Sequence, residues 1–67
     1  MTNKQLAAAR RAFSQFPGLR PRKDGDTITP YRVADPGARG EPVIVIESMA
    51  DSEIEHLLVQ SCAALNG

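Results

Sequence analysis

Four consecutive apolar residues, Val43 to Ile46, constrain the fold of this chain more than any other feature. Within the segment EPVIVIES they are typical of a β-strand, because β-branched residues favour strands. Side chains alternate between the two faces of a strand, so Val43 and Val45 point one way and Ile44 and Ile46 the other. Both faces of the predicted strand 42–47 therefore need cover from a chain of only 67 residues.

The short length predicts one domain spanning residues 1–67. Domains of this size are marginally stable unless disulfides, metal ions or self-association assist them. Cys62 is the only cysteine and His56 the only histidine, so the chain can form neither an internal disulfide nor a zinc site made only of nitrogen and sulfur ligands. We expect no cofactor, and stability has to come from packing or from a second copy.

The segment from Met1 to Phe16 lacks the apolar stretch of a secretory signal, and no apolar run reaches the ~18 residues of a membrane span. We therefore expect a cytoplasmic protein without a membrane partner. The initial Met favours a free-standing small protein. The excess of Arg over Lys and the frequent Ala favour a GC-rich bacterial or phage genome.

A helix is predicted near each end of the chain. The first, at about 3–15, begins with Thr2-Asn3-Lys4-Gln5, which has the form of a capping box, and Pro17-Gly18 ends it. The second, at about 50–65, has Ser48 or Asp51 as its cap. Each helix carries an apolar stripe: Leu6, Ala9, Phe13 and Phe16 on the first, and Ile54, Leu57, Leu58, Ser61, Cys62 and Leu65 on the second.

Residues 26–34 form a second predicted strand, rich in Thr, Ile, Tyr and Val. Asp24-Gly25 is a favoured hairpin turn that could join it to a short strand at 19–23, and the alternative for that segment is a basic loop. Pro21 restricts such a strand to an edge of the sheet, and Pro30 requires either a bulge or an outward-facing position. The hairpin register stays open, because both flanking strands carry apolar residues on both faces.

The predicted fold class is α+β, with element order α-β-β-α or α-β-β-β-α. A small antiparallel sheet of two or three strands would carry the N-terminal and the C-terminal helix on one face, which buries both apolar stripes.

Charge is unevenly distributed along the chain, although the net charge is zero. Residues 1–23 hold six cations and no acid, whereas residues 24–67 hold two arginines and eight acids. One explanation is pairing between the basic first helix and the acidic start of the second, where exposed pairs contribute about 0–1 kcal/mol each. The other is a charged partner bound by Arg10, Arg11, Arg20, Arg22 and Lys23.

A basic patch of these five residues would suit nucleic acid, because Arg and Lys neutralise phosphates. Against this, the isoelectric point is about 6.5, and both phenylalanines belong to the first helix stripe. Only Tyr31 is left as an aromatic residue for the bases, so we expect no stacking platform. A nucleic-acid-binding regulator is therefore our second hypothesis for function.

No residues form a recognisable catalytic set. His56 lies near Glu53 and Glu55, where a histidine could act as a general base. Cys62 is six residues further on, about 600° of helical rotation away, and so faces away from His56. The acids beginning at Asp51 suit the positive end of the helix dipole better than a metal site, which needs converging oxygen ligands. We expect neither an enzyme nor a metal-binding protein.

The outer edge of strand 42–47 contains no proline, lysine or bulge signal, the usual devices against edge pairing. A second copy could join along it as a homodimer, or a different protein could add a strand. The predicted protein-binding or dimer edge consists of Val43, Ile44, Val45 and Ile46. The alternative is a monomer in which Met49, Tyr31 and the loop cover the remaining face.

The leading hypothesis is a small non-enzymatic protein that binds another protein and regulates or inhibits it by occupying a surface. An antagonist of host defence encoded by a phage or mobile element would fit the size and composition.

Overall fold

A computed structural model describes residues 1–67 and contains two helices and a three-stranded antiparallel sheet. The strands lie in the order β1-β2-β3, so β2 is the central strand, and both helices cover one face. The predicted α+β class is confirmed. No helix is both long and apolar enough to cross a membrane. The elements in chain order are α1 (Asn3–Ser14), β1 (Leu19–Asp24), β2 (Thr27–Arg32), β3 (Val43–Ile44) and α2 (Asp51–Asn66).

Helix α1 begins with the predicted capping box. The Thr2 hydroxyl accepts a hydrogen bond from the Gln5 N–H, and the Gln5 side-chain oxygen accepts one from the Thr2 N–H, both at 3.1 Å. The buried face is rotated from the predicted stripe, because small alanines allow α1 to approach α2 closely. Leu6 and Phe16 are only half-buried, and the buried residues are Gln5, Ala8, Ala9, Ala12 and Phe13.

Helix α2 begins without a side-chain cap. Its N-cap is Ala50, so the predicted caps at Ser48 and Asp51 are wrong. The acids of its first turn still suit the helix dipole. At the other end, Arg32 donates from Nη2 to the carbonyl of Leu65 at 2.6 Å, which places a cation at the negative end of the helix.

The basic segment after α1 is a strand rather than a loop. The β1–β2 turn consists of Gly25 and Asp26, one residue later than predicted, and Gly25 has φ 61°. A positive φ at the first central residue alone is typical of a type II′ turn, which suits the twist of a hairpin. Pro21 and Pro30 lie opposite each other in a continuous register. Antiparallel pairs alternate in hydrogen bonding, and this pair needs no N–H from either ring, so no bulge forms.

Strand β3 is much shorter than the predicted 42–47. The Val45 N–H still donates to the Asp26 carbonyl at 2.8 Å, but β2 turns away at that point and leaves no partner for later residues. The Ile46 carbonyl instead accepts from the Met49 N–H at 3.0 Å and begins a turn. The apolar residues therefore predicted the presence of β3, whereas the length of β2 determined where β3 ends.

Buried polar contacts fasten the residues around β3 to both helices. The Gln5 Nε2 lies 3.0–3.3 Å from the carbonyls of Ile46, Glu47 and Met49, which share its two N–H donors. The buried Ser61 hydroxyl donates to the Glu41 carbonyl at 2.6 Å. These contacts lie beside a core of small and branched side chains: Ala8, Ala9, Ala12, Phe13, Leu19, Ile28, Val43, Val45, Ile54, Leu58 and Cys62.

Candidate functional site

An open groove lies between α1 and β1, on the helix side of the sheet. It has a volume of about 340 Å³, within the roughly 300–1,000 Å³ of typical binding sites. Its floor is apolar, because the α1 residues at helical spacing meet two buried strand residues there. The floor consists of Leu6, Ala9, Phe13, Leu19 and Ile28.

The groove exists because α1 covers the sheet incompletely. Helix α1 packs mainly on α2 and touches β1 at few positions. Ala9 is one of the α1 residues of the floor, and its small side chain leaves space toward β1. Lys23 pairs with Ile28 and lies on the same face of the sheet. An apolar residue at this position would extend the core beside Leu19 and Ile28, but the position holds a cation instead.

Three cations line this groove and no acid does: Arg10, Arg20 and Lys23. Arg20 is held in place, since its Nη1 donates to the carbonyls of Pro17 and Leu19 at 2.9 Å. None of the three forms a salt bridge within the chain. The groove therefore combines an apolar floor with positive charge that no acid of the chain neutralises.

The opposite, helix-free side of the sheet, called here the outer face, carries the rest of the positive charge of β1. Tyr31 lies opposite Arg20 of β1. On its other side it lies opposite Arg39, which follows β2 in the chain and forms a single antiparallel β-bridge with Tyr31. Arg22 pairs with Thr29 and is a diagonal neighbour of Tyr31 on this face. A depression of about 380 Å³ lies here, lined by Pro21, Arg22, Tyr31, Pro36 and Arg39.

The predicted basic patch is thus divided between separate surfaces. Arg10 and Lys23 line the groove, Arg22 lies on the outer face, and Arg20 lies at the edge between them. Arg11 belongs to neither, since its Nε donates to Glu55 Oε1 at 2.8 Å. The expected pairing between the two helices therefore exists, but it uses only one of the six cations of residues 1–23.

The predicted edge residues are also divided by the register. Val43 and Val45 are buried in the core, whereas Ile44 and Ile46 are 65% and 56% exposed. For strand addition the edge offers little: Pro42 has no N–H, and the Ile46 N–H is directed at the Met49 sulfur at 3.3 Å. The Val43 and Val45 N–H groups face β2, so Ile44 supplies the one outward backbone donor. Dimerisation along 42–47 stays a prediction.

The candidate catalytic and metal-binding side chains of α2 do not converge on one site. His56 is exposed beside Asp51, Ser52 and Glu55 in a shallow, mostly polar depression. No three side chains of His, Cys, Asp or Glu lie close enough together to hold a metal ion. Cys62 is fully buried, and burial raises the pKa of its thiol to about 11. It packs as a small apolar side chain, as the sequence predicted.

Two features of these surfaces were missed from the sequence. Arg39 joins Tyr31 only through the turn after β2, a contact between positions eight residues apart that no local pattern indicates. The groove has one sequence signal, which is the basic residue at position 23 on the apolar face of a strand. The sequence alone does not show that position 23 is on the apolar face, because this depends on the hairpin register.

Comparison with known proteins identifies no relative from which a function could be transferred: no family model, curated protein or solved structure matches the chain.

Proposed function

We propose that this protein is a non-enzymatic regulator or inhibitor that binds another protein, and that the groove between α1 and β1 is its binding site. The single observation that supports this is the combination of an apolar floor with three cations and no acid at its margin. The excess of Arg over Lys and the frequent Ala favour a bacterial or phage genome, and an antagonist of host defence is one example of such a regulator.

The partner in this proposal presents an exposed acidic segment with one large apolar side chain. The apolar side chain would enter the groove over Ala9, and its carboxylates would lie near Arg10 and Lys23. Burying a large apolar side chain is worth about 1.5–3 kcal/mol, whereas an exposed ion pair contributes about 0–1 kcal/mol. The apolar anchor would supply most of the affinity, and the charges would accelerate and orient the encounter.

A random peptide library displayed on phage tests this without knowledge of the natural partner. The immobilised protein should enrich peptides in which Asp or Glu flank Leu, Met, Phe or Trp. An enriched peptide should bind the double variant Arg10→Glu/Lys23→Glu about tenfold more weakly or worse, since two attractions become repulsions.

The matched control is Lys4→Glu, which reverses an exposed cation of α1 that does not line the groove. It should keep the affinity of the enriched peptide within about twofold. Enrichment of peptides without acids, or equal binding by wild type and the groove variant, would contradict the proposed site. Circular dichroism of each variant verifies that the fold is retained.

A further inference from the structure

The outer face carries a second arrangement that the groove does not use. We infer that Tyr31, Arg22 and Arg39 form a binding site for a nucleotide, in which the tyrosine ring stacks on the base and the guanidinium groups hold the phosphate. This site lies on the opposite side of the sheet from the groove, and the inference does not depend on the proposed protein partner.

The register determines the arrangement of these side chains. Arg20 and Arg39 flank Tyr31 as its direct neighbours on either side, and Arg22 lies diagonally from it on the same face. Directly opposed side chains in a sheet have Cβ atoms about 4.5–5.5 Å apart, and diagonal ones about 7–8 Å. The distance between the tyrosine ring and these arginines is therefore similar to the distance between the base and the phosphate of one nucleotide.

Shape and charge both favour an anionic planar ligand here. The depression of about 380 Å³ is lined by Pro36 and by Pro21, an edge-strand residue that also lines the groove, so it offers apolar surface beside the ring. Its arginines form no ion pair: Arg39 Nε has only the Pro36 carbonyl at 3.4 Å, and the Arg22 side chain donates to no group of the chain. The Tyr31 hydroxyl likewise makes no hydrogen bond within the chain.

The chemistry of recognition follows from these groups. Guanidinium groups bind phosphate oxygens in pairs of parallel hydrogen bonds, and no carboxylate lines the depression to compete for them. Stacking of one base on an aromatic side chain is tolerant of sequence, because every base has a π-face. The base and phosphate can come from a free nucleotide or from a single strand of DNA or RNA, and the two sources differ in a measurable way.

Tyr31 itself reports on binding, because it is the only tyrosine and the chain has no tryptophan. Titration with AMP, with inorganic phosphate, and with a single-stranded oligonucleotide of about 12 nucleotides at about 50 mM salt should quench its emission where a base stacks on the ring. Tighter binding of the oligonucleotide than of AMP assigns the site to a single strand. Equal binding assigns it to a free nucleotide.

Variants then connect the quenching to the site. Anisotropy of a labelled oligonucleotide should show about tenfold weaker binding for Tyr31→Ala, while Tyr31→Phe keeps the stack and stays within about twofold. For a single strand, Arg22→Ala/Arg39→Ala should lower the slope of log K against log salt by about 1.4, because two phosphate contacts are lost.

Arg10→Ala is the matched control, since it removes an exposed arginine from the groove side only. It should leave both affinity and quenching unchanged. Three results would overturn the inference: no quenching by AMP or oligonucleotide, inorganic phosphate competing as well as AMP, or Arg10→Ala weakening binding as much as the outer-face variants. Circular dichroism separates any of these losses from unfolding.

Discussion

The two edges of the sheet are built in opposite ways. Around β3, which we call the closed side together with α2 and residues 40–49, the inward-facing side chains are buried, and the side chains of Gln5 and Ser61 hydrogen-bond to the backbone. Around β1, which we call the open side together with its groove and Gly18, cations line an unfilled apolar floor. The contrast predicts that substitutions on the closed side cost more stability, whereas the open side retains an apolar groove.

The largest expected effect comes from removing core volume on the closed side. Leu58 is fully buried in α2, so Leu58→Ala should lower the free energy of unfolding by about 2–5 kcal/mol. Leu6 is half-buried in the groove floor, and Leu6→Ala should lower it by about 1 kcal/mol, because water already reaches that side chain. Urea unfolding of both variants measures the difference. Equal losses would show that the two sides are packed alike.

The next largest expected effect on stability is at Gly40, and Gly18 is its counterpart on the open side. A Cβ at Gly40 would lie 2.7 Å from the Pro30 ring and 3.2 Å from the Ser61 carbonyl, so Gly40→Ala should destabilise by about 1–3 kcal/mol. A Cβ at Gly18 would meet nothing within 4 Å, and Gly18→Ala should be neutral or slightly stabilising. Thermal unfolding compares the two. A neutral Gly40→Ala would mean that the closed side has room to adjust.

The same contrast explains what could be predicted from the sequence. Local patterns were sufficient for the presence of both helices and for the capping box at Thr2, because periodicity and capping act over a few residues, but they gave the wrong cap for α2. Local patterns could not give the end of β3 or the close approach at Gly40, which depend on where the hairpin turns. The groove could not be predicted before the register was known, because it results from how α1 divides its contacts between α2 and β1.

The closed side should also show a pH dependence through Cys62. Burial raises the pKa of this thiol from 9.0 to about 11, so the unfolded chain loses its proton at a lower pH than the folded one. The contribution to stability is complete below pH 9.0 and is lost as the pH rises to about 11. Unfolding free energies of wild type and Cys62→Ala over this range isolate the effect, because other titrating groups are common to both. Parallel profiles would exclude it.

The smallest expected effect on stability is at Arg11 of α1, and the neighbouring Arg10 is its control. Arg11 pairs with Glu55 at 2.8 Å, and both side chains are partly exposed, at 55% and 35%. Arg11→Ala should therefore lower the free energy of unfolding by about 0–1 kcal/mol. The loss should shrink at about 1 M salt, where the Debye length is about 3 Å.

Arg10, one residue earlier, lies at the groove and makes no ion pair, so Arg10→Ala should leave stability unchanged at either salt concentration. Chemical denaturation at low and high salt separates the two variants. If Arg10→Ala also destabilises, the groove cations are engaged in folding, and the positive charge of the open side is not free for a partner. If only Arg11→Ala does, the charge that the fold leaves unpaired coincides with the surface proposed for binding.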